Sequence, residues 1–108
     1  MQHYLNYING GWKDSHCQLT VMNPATGAPY ATVAQASIED ADLAMAGARH
    51  CVSQGLLTDI RPAQRLTWML KAAEEIRKIT EEAALVLCSE NGKNLDTARD
   101  EFIEAARY

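Results

Sequence analysis

Between Pro62 and Gly92 the sequence carries one unbroken helical pattern, closed by Glu90-Asn91-Gly92-Lys93. With successive residues roughly 100° apart, Leu66, Met69, Leu70, Ala73, Ile76, Ala83, Ala84, Leu87 and Cys88 fall on one side. Trp68, Ala72, Ile79 and Val86 widen that face rather than oppose it. The apolar arc reaches roughly 200°, where a helix lying on a single core needs roughly 100°. Lys71, Glu74, Glu75, Lys78, Glu81 and Glu82 fill the remainder, with Leu85 the one apolar residue among them. Such a helix calls for neighbours on two sides, and a chain of 108 residues has few to offer.

That length suits one domain able to bury a working core. Hydrophobic residues make up 47% and charged ones 22%, a balance that argues against disorder. The net charge is −4 with no block of like sign, which disfavours nucleic acid as a partner because its footprint is a basic face. No apolar run approaches the ~20 residues of a membrane-spanning helix. The opening Met1-Gln2-His3-Tyr4-Leu5 lacks the basic and apolar regions of a signal peptide. Three cysteines, with no Cys-x-x-Cys spacing, fit reduced thiols in a cytoplasmic protein.

Residues 4–36 read as strands and turns. Tyr4–Ile8 is a short β-prone run, and Asn9-Gly10 turns it back through Gly11-Trp12-Lys13, both turn residues tolerating positive φ. Cys17, Leu19 and Val21 alternate with Gln18 and Thr20, a strand with one face expected to be buried. Asn23-Pro24-Ala25-Thr26-Gly27 ends it, and Tyr30–Ala36 resumes as a strand. The pattern predicts two hairpins in one small antiparallel sheet. Ser37-Ile38-Glu39-Asp40 then starts a helix over 37–54, with a hydroxyl cap and acids at the positive end of the dipole. Its expected buried face is narrow and rich in alanine: Ala41, Ala44, Met45, Ala48, Cys51 and Val52. Gly55 is its expected stop. Pro62 opens the long helix over 62–91, and Asn91-Gly92 supplies the left-handed residue that ends it. Asn94 caps a third helix over 94–108, whose Leu95, Ala98, Phe102 and Ala105 reach the chain end without a stop signal. The expected fold is α+β, N-terminal β-hairpins followed by three helices, in a single incomplete unit 1–108 cut short in its last helix.

Few residues carry chemistry on their own. Cys17, Cys51 and Cys88 lie on apolar faces and read as small core residues rather than nucleophiles. His3, His16 and His50 share no metal-ligand spacing with each other or with acids. Glu39, Asp40 and Asp42 read as helix-start charge. Glu74-Glu75 and Glu81-Glu82 form a solvated face. Neither a Gly-x-Gly-x-x-Gly nor a Walker loop occurs, and Gly10-Gly11 belongs to a hairpin.

The order of the punctuating motifs is more specific. Ile8-Asn9-Gly10-Gly11-Trp12, Asn23-Pro24-Ala25-Thr26-Gly27, Ala31-Thr32-Val33 and Ser37-Ile38-Glu39-Asp40 succeed one another as in the opening of the NAD(P)-dependent aldehyde dehydrogenases, which this chain resembles. Arg61-Pro62-Ala63-Gln64-Arg65, Glu90-Asn91-Gly92-Lys93 and Glu101–Ala106 continue the likeness in the same order. Asn94 departs from it, since many members carry proline there. The resemblance implies a subunit several times longer, with cofactor-binding, catalytic and oligomerisation regions. This chain would be a truncated part of its cofactor-binding domain, partnered by the remainder of the subunit. The family's cysteine nucleophile, glutamate base, oxyanion-site asparagine and cofactor-phosphate loop lie beyond the matched segment, so no catalytic or cofactor-binding residue transfers. NAD or NADP would belong to the full-length parent and not to this chain alone. Some members bind a structural monovalent cation, and the matching positions are the Val21 and Met22 backbone and the Glu90 carboxylate.

Two functions compete. One is an N-terminal fragment of an NAD(P)-dependent aldehyde dehydrogenase, an oxidoreductase converting aldehyde to carboxylate when complete and inactive as this segment alone. The other is a stand-alone, non-enzymatic helical interaction module, self-associating or docking through the wide apolar arc.

Overall fold

In the computed structural model, which describes residues 1–108, the elements follow in the order β1 (Gln2–Tyr4), β2 (Asn6–Ile8), β3 (Gly11–Lys13), β4 (Gln18–Asn23), β5 (Ala28–Ala34), α1 (Ile38–Ser53), α2 (Pro62–Asn91) and α3 (Leu95–Ala105). The architecture is α+β, short strands first and three helices after. The chain divides into two compact units, Met1–Met22 with Pro29–Ile60, and Asn23–Ala28 with Arg61–Tyr108.

In the first unit the Asn9-Gly10 turn forms as its residue types require, with φ 51° and 83°. It pairs β2 with β3 in antiparallel register, Tyr7 opposite Trp12, and their rings lie 4.9 Å apart at 60° on an exposed face. The expected single antiparallel sheet does not form. The run Tyr4–Ile8 breaks at Leu5, and β1 leaves the hairpin to pair in parallel with β5, His3 opposite Thr32. The second sheet is therefore ordered β1-β5-β4. Pairing across some thirty residues of sequence competes with the local hairpin here, and no local pattern encodes the outcome. Burial differs from expectation as well. On β4, an edge strand, Leu19 is exposed and Val21 half-buried, and Cys17 just before it is exposed. The buried positions are Ala31 and Ala34 on the central strand β5.

The start of α1 is capped as its sequence demands. The Asp40 N–H donates to Ser37 Oγ at 3.1 Å, and the Ser37 N–H donates to Asp40 Oδ2 at 3.0 Å, a reciprocal box. The helix ends through Gln54, with Gly55 at φ 64°. Its alanine-rich face is not the buried one. Ala41, Ala44, Met45, Ala48 and Val52 are exposed and Cys51 is half-buried; the one buried residue of the helix is Asp40. Two polar contacts reach α1 from the hairpin. Lys13 pairs with Asp40, and Asn9 Nδ2 donates to the Leu43 carbonyl at 3.2 Å. Asn9 also explains the mid-helix Gly47, because a Cβ there would occupy the space of the Asn9 side-chain amide.

The second unit is a helical hairpin. Pro62 opens α2, and Gly92 closes it at φ 78°, donating its N–H to the Cys88 carbonyl at 2.9 Å. Asn94 caps α3, its Oδ1 accepting from the Asp96 and Thr97 N–H groups. The wide arc of α2 is used unevenly along its length. Toward the C-terminus Ala84 is fully buried, and Ala83, Val86, Leu87 and Cys88 are half-buried. Toward the N-terminus Leu66, Met69 and Leu70 remain 58–59% exposed. Small side chains allow close helix approach: Ala98 and Ala106 on the α3 side are also buried. Polar contacts then lock the pair. Arg99 grips Glu81 at 2.7 and 3.1 Å and Asp96 at 2.7 Å, Lys93 pairs with Glu101, and Arg77 donates to the Ala106 carbonyl at 3.1 Å. The Ala106 carbonyl that Arg77 holds lies directly after α3, which runs to Ala105.

Candidate functional site

A thiol nucleophile would need an approachable and activated sulfur. Cys17 is exposed ahead of β4, Cys51 half-buried late in α1 and Cys88 half-buried late in α2, all three free. Cys17 is thus not the core residue that the alternation predicts. No group of three or more His, Cys, Asp or Glu side chains comes together in a way that could hold a metal ion. Of the positions implied for a monovalent cation, Val21 and Met22 lie on β4, half-buried and exposed respectively, and Glu90 is exposed in the last turn of α2.

Two polar clusters do form. Asp40, 5% exposed, has its carboxyl held at about 2 by the Lys13 ammonium and then by the Ser37 backbone and hydroxyl. This is a structural junction between β3 and α1. The second cluster escapes sequence reasoning: His3 Nδ1 lies 2.8 Å from Thr32 Oγ1, and His3 Nε2 lies 2.9 Å from Asp14 Oδ1. Thr32, 29 residues from His3, is brought to it by the β1–β5 pairing, and Asp14, 11 residues away, reaches it from the segment after β3. The one signal available was the β-prone run Tyr4–Ile8, which begins just after His3. In the second unit a cleft of about 210 Å³ opens beside the exposed half of α2, lined by Leu66, Met69, Leu70, Ile76, Ala106 and Tyr108 among others. It is mostly apolar and holds no acid, histidine or thiol among its lining residues.

Neither cluster makes a complete active site, so the likeness to known proteins bears most of the functional weight. Residues 12–108 match the Aldehyde dehydrogenase family. The chain belongs to that family. It is 36% identical over 102 residues to malonate-semialdehyde dehydrogenase 1 of Oceanobacillus iheyensis, an alignment covering 93% of this chain and 21% of the relative. Against the NADP-dependent glyceraldehyde-3-phosphate dehydrogenase of Streptococcus equinus the identity is 31% over 103 residues, covering 95% and 21%. Among solved structures, the NAD-dependent aldehyde dehydrogenase from Sinorhizobium meliloti superposes with a TM-score of 0.90 at 29% identity, over 97% of this chain and 22% of that one. The chain spans about a fifth of the length of the relatives that it matches. It corresponds to an aldehyde dehydrogenase N-terminal segment, and its fold is a part of theirs.

Proposed function

We propose that this chain serves as the N-terminal scaffold segment of an NAD(P)-dependent aldehyde dehydrogenase. The activity of the complete protein would be the oxidation of an aldehyde to a carboxylate with NAD or NADP. NAD or NADP, when bound to the complete protein, would supply the hydride acceptor, and a thiol from the remainder of the subunit would carry the acyl group until water releases the acid. None of those roles is assigned to a residue of this chain. The observation that carries the reading is the 0.90 TM-score over 97% of the chain, which matches only 22% of a much longer relative. The relatives include one NAD-dependent and one NADP-dependent enzyme, and both cofactors stay within the proposal.

In this reading the remainder of the subunit is the partner that covers the exposed residues of α2, and the oligomer and the cytoplasmic location belong to the complete protein. The Glu90 carboxylate would contribute to a monovalent cation site of the complete protein. That assignment predicts that Glu90→Gln weakens the potassium or sodium dependence of the full-length protein's stability, and an unchanged dependence would remove it. Leu66, Met69 and Leu70 also favour a second reading, a non-enzymatic helical interaction module, because apolar residues grouped on one exposed face seek partners.

Two measurements decide. The purified 108-residue chain, given an aldehyde and NAD or NADP, is expected to yield no reduced cofactor; aldehyde-dependent NADH or NADPH production would overturn the scaffold reading. The coding sequence after Tyr108 is expected to continue into a cofactor-binding region and a cysteine nucleophile, whereas an immediate stop codon would favour the module.

A further inference from the structure

The His3 cluster has a property that the scaffold role does not use. An ionised carboxylate can only accept, so the His3 nitrogen facing Asp14 carries a proton and donates it across 2.9 Å. In the neutral ring the other nitrogen, Nδ1, is then the acceptor, and the Thr32 hydroxyl donates to it across 2.8 Å. When the ring takes a second proton, Nδ1 becomes a donor and the Thr32 hydroxyl turns to accept. Neither hydrogen bond is lost. The positive ring, however, now faces a negative carboxylate.

We propose that Thr32–His3–Asp14 is a proton-linked clamp on the N-terminal strand, closed in both states of the imidazole and tighter when it is charged. Its position gives it something to hold. β1 has three residues, and its pairing with β5 rests on the register Gln2–Ala31, His3–Thr32 and Tyr4–Val33. So short an edge strand is marginal without side-chain support. His3 ties it both to β5 and to the segment after β3. From that segment the ring faces Asp14, which lies near His16; from β5 it faces the neutral Thr32 hydroxyl. The Asp14 carboxyl is held below the usual carboxylate range, first by the His3 hydrogen bond and then by the Ser15 N–H, which donates across 2.7 Å. Asp14 therefore stays ionised through the range in which histidines charge. Thr32 sits opposite His3 inside the β1–β5 pairing rather than in the cleft described above, so a fastening role fits it better than that of a nucleophile.

The test is amide hydrogen exchange of β1 and β5 in the 108-residue chain from about pH 8 to about pH 5.5, spanning the histidine range. Rates are corrected for intrinsic pH dependence and referenced to the Ala84 amide of α2. Protection is expected to rise about two- to five-fold toward acid, the scale of one exposed ion pair. His3→Gln and Asp14→Asn each keep hydrogen-bonding capacity but remove one charge, and each should flatten the profile. A flat or inverted wild-type profile would overturn the clamp, as would the same slope in His3→Gln. Nitrogen NMR of the wild-type imidazole provides a check independent of the variants: the neutral ring should be protonated at Nε2, and protonation at Nδ1 would refute the assignment.

Discussion

Adding a methyl group at Gly92 should destabilise the helical hairpin by a predictable amount. The residue ends α2 at φ 78° and ψ 12°. A Cβ built there would stand 2.9 Å from Pro24 Cγ and 3.6 Å from Pro24 Cβ, in the same compact unit. Gly92→Ala therefore meets two costs. Holding an L-residue in the left-handed region costs about 1–2 kcal/mol. Displacing the proline ring adds about 1 kcal/mol, the lower end of what overpacking costs. The sum, about 2–3 kcal/mol, corresponds to a fall in Tm of at least roughly 8 °C at roughly 4–8 °C per kcal/mol. Thermal melts followed by far-UV circular dichroism, dominated by α2 and α3, would read it.

The two costs can be separated. Pro24→Ala removes Cγ and leaves an ordinary contact, so in that background Gly92→Ala should recover about 1 kcal/mol, a coupling that a double-mutant cycle measures. Gly92→Asn, whose side chain tolerates the left-handed region, should retain chiefly the Pro24 term. A change in stability of no more than a few tenths of a kcal/mol for Gly92→Ala would refute the geometry of this helix end, and zero coupling would refute the Pro24 contact alone. Gly92→Val should be at least as harmful as alanine.

Other expectations concern the first unit and the buried face of α2. Ser37→Ala removes the α1 cap and should cost about 1 kcal/mol, read as fraying of the first turn of α1 in amide exchange. Asp40 has a folded value of about 2 against an ordinary 3.8, so its contribution is complete above about 3.8 and is lost as pH falls toward 2. Acid titration should loosen the start of α1 in that window, and Asp40→Asn should abolish the pH dependence there; a persisting transition would assign it to another carboxylate. Gly47→Ala brings a helix-propensity gain of about 1 kcal/mol. It also displaces the Asn9 amide, so it should stabilise only in an Asn9→Gly background, where the turn keeps a residue that tolerates positive φ, and a gain as a single change would show that Asn9 does not rest on the helix. Leu87→Asp places a charge on the half-buried face of α2 and should reduce solubility or unfold the hairpin, whereas wild-type melting would mean that this face is not packed.

What could be read from the residues alone was whatever depends on a few neighbours in the chain. The Asn9-Gly10 turn, the Ser37–Asp40 box, Pro62 at the start of α2, Gly92 at its end and the Asn94 cap are all local devices, and each stands where its residue type requires. Family membership was legible for a related reason. Those same devices, in that order and spacing, are the motifs through which the chain resembles aldehyde dehydrogenases. Periodicity marked where the helices lie but not which of their faces would be covered. The alanine stripe of α1 and the first turns of α2 are exposed, because burial depends on what packs against a face and not on the face's own composition. Tertiary structure alone decided that β1 leaves its hairpin for β5, and with that choice it assembled the Thr32–His3–Asp14 chain from residues that share no sequence pattern. Short-range hydrogen bonds and backbone preferences are written residue by residue. Strand partners, burial and side-chain clusters are settled by competition among distant contacts, which is why the spacing of His3 discloses no partner until the sheet is seen.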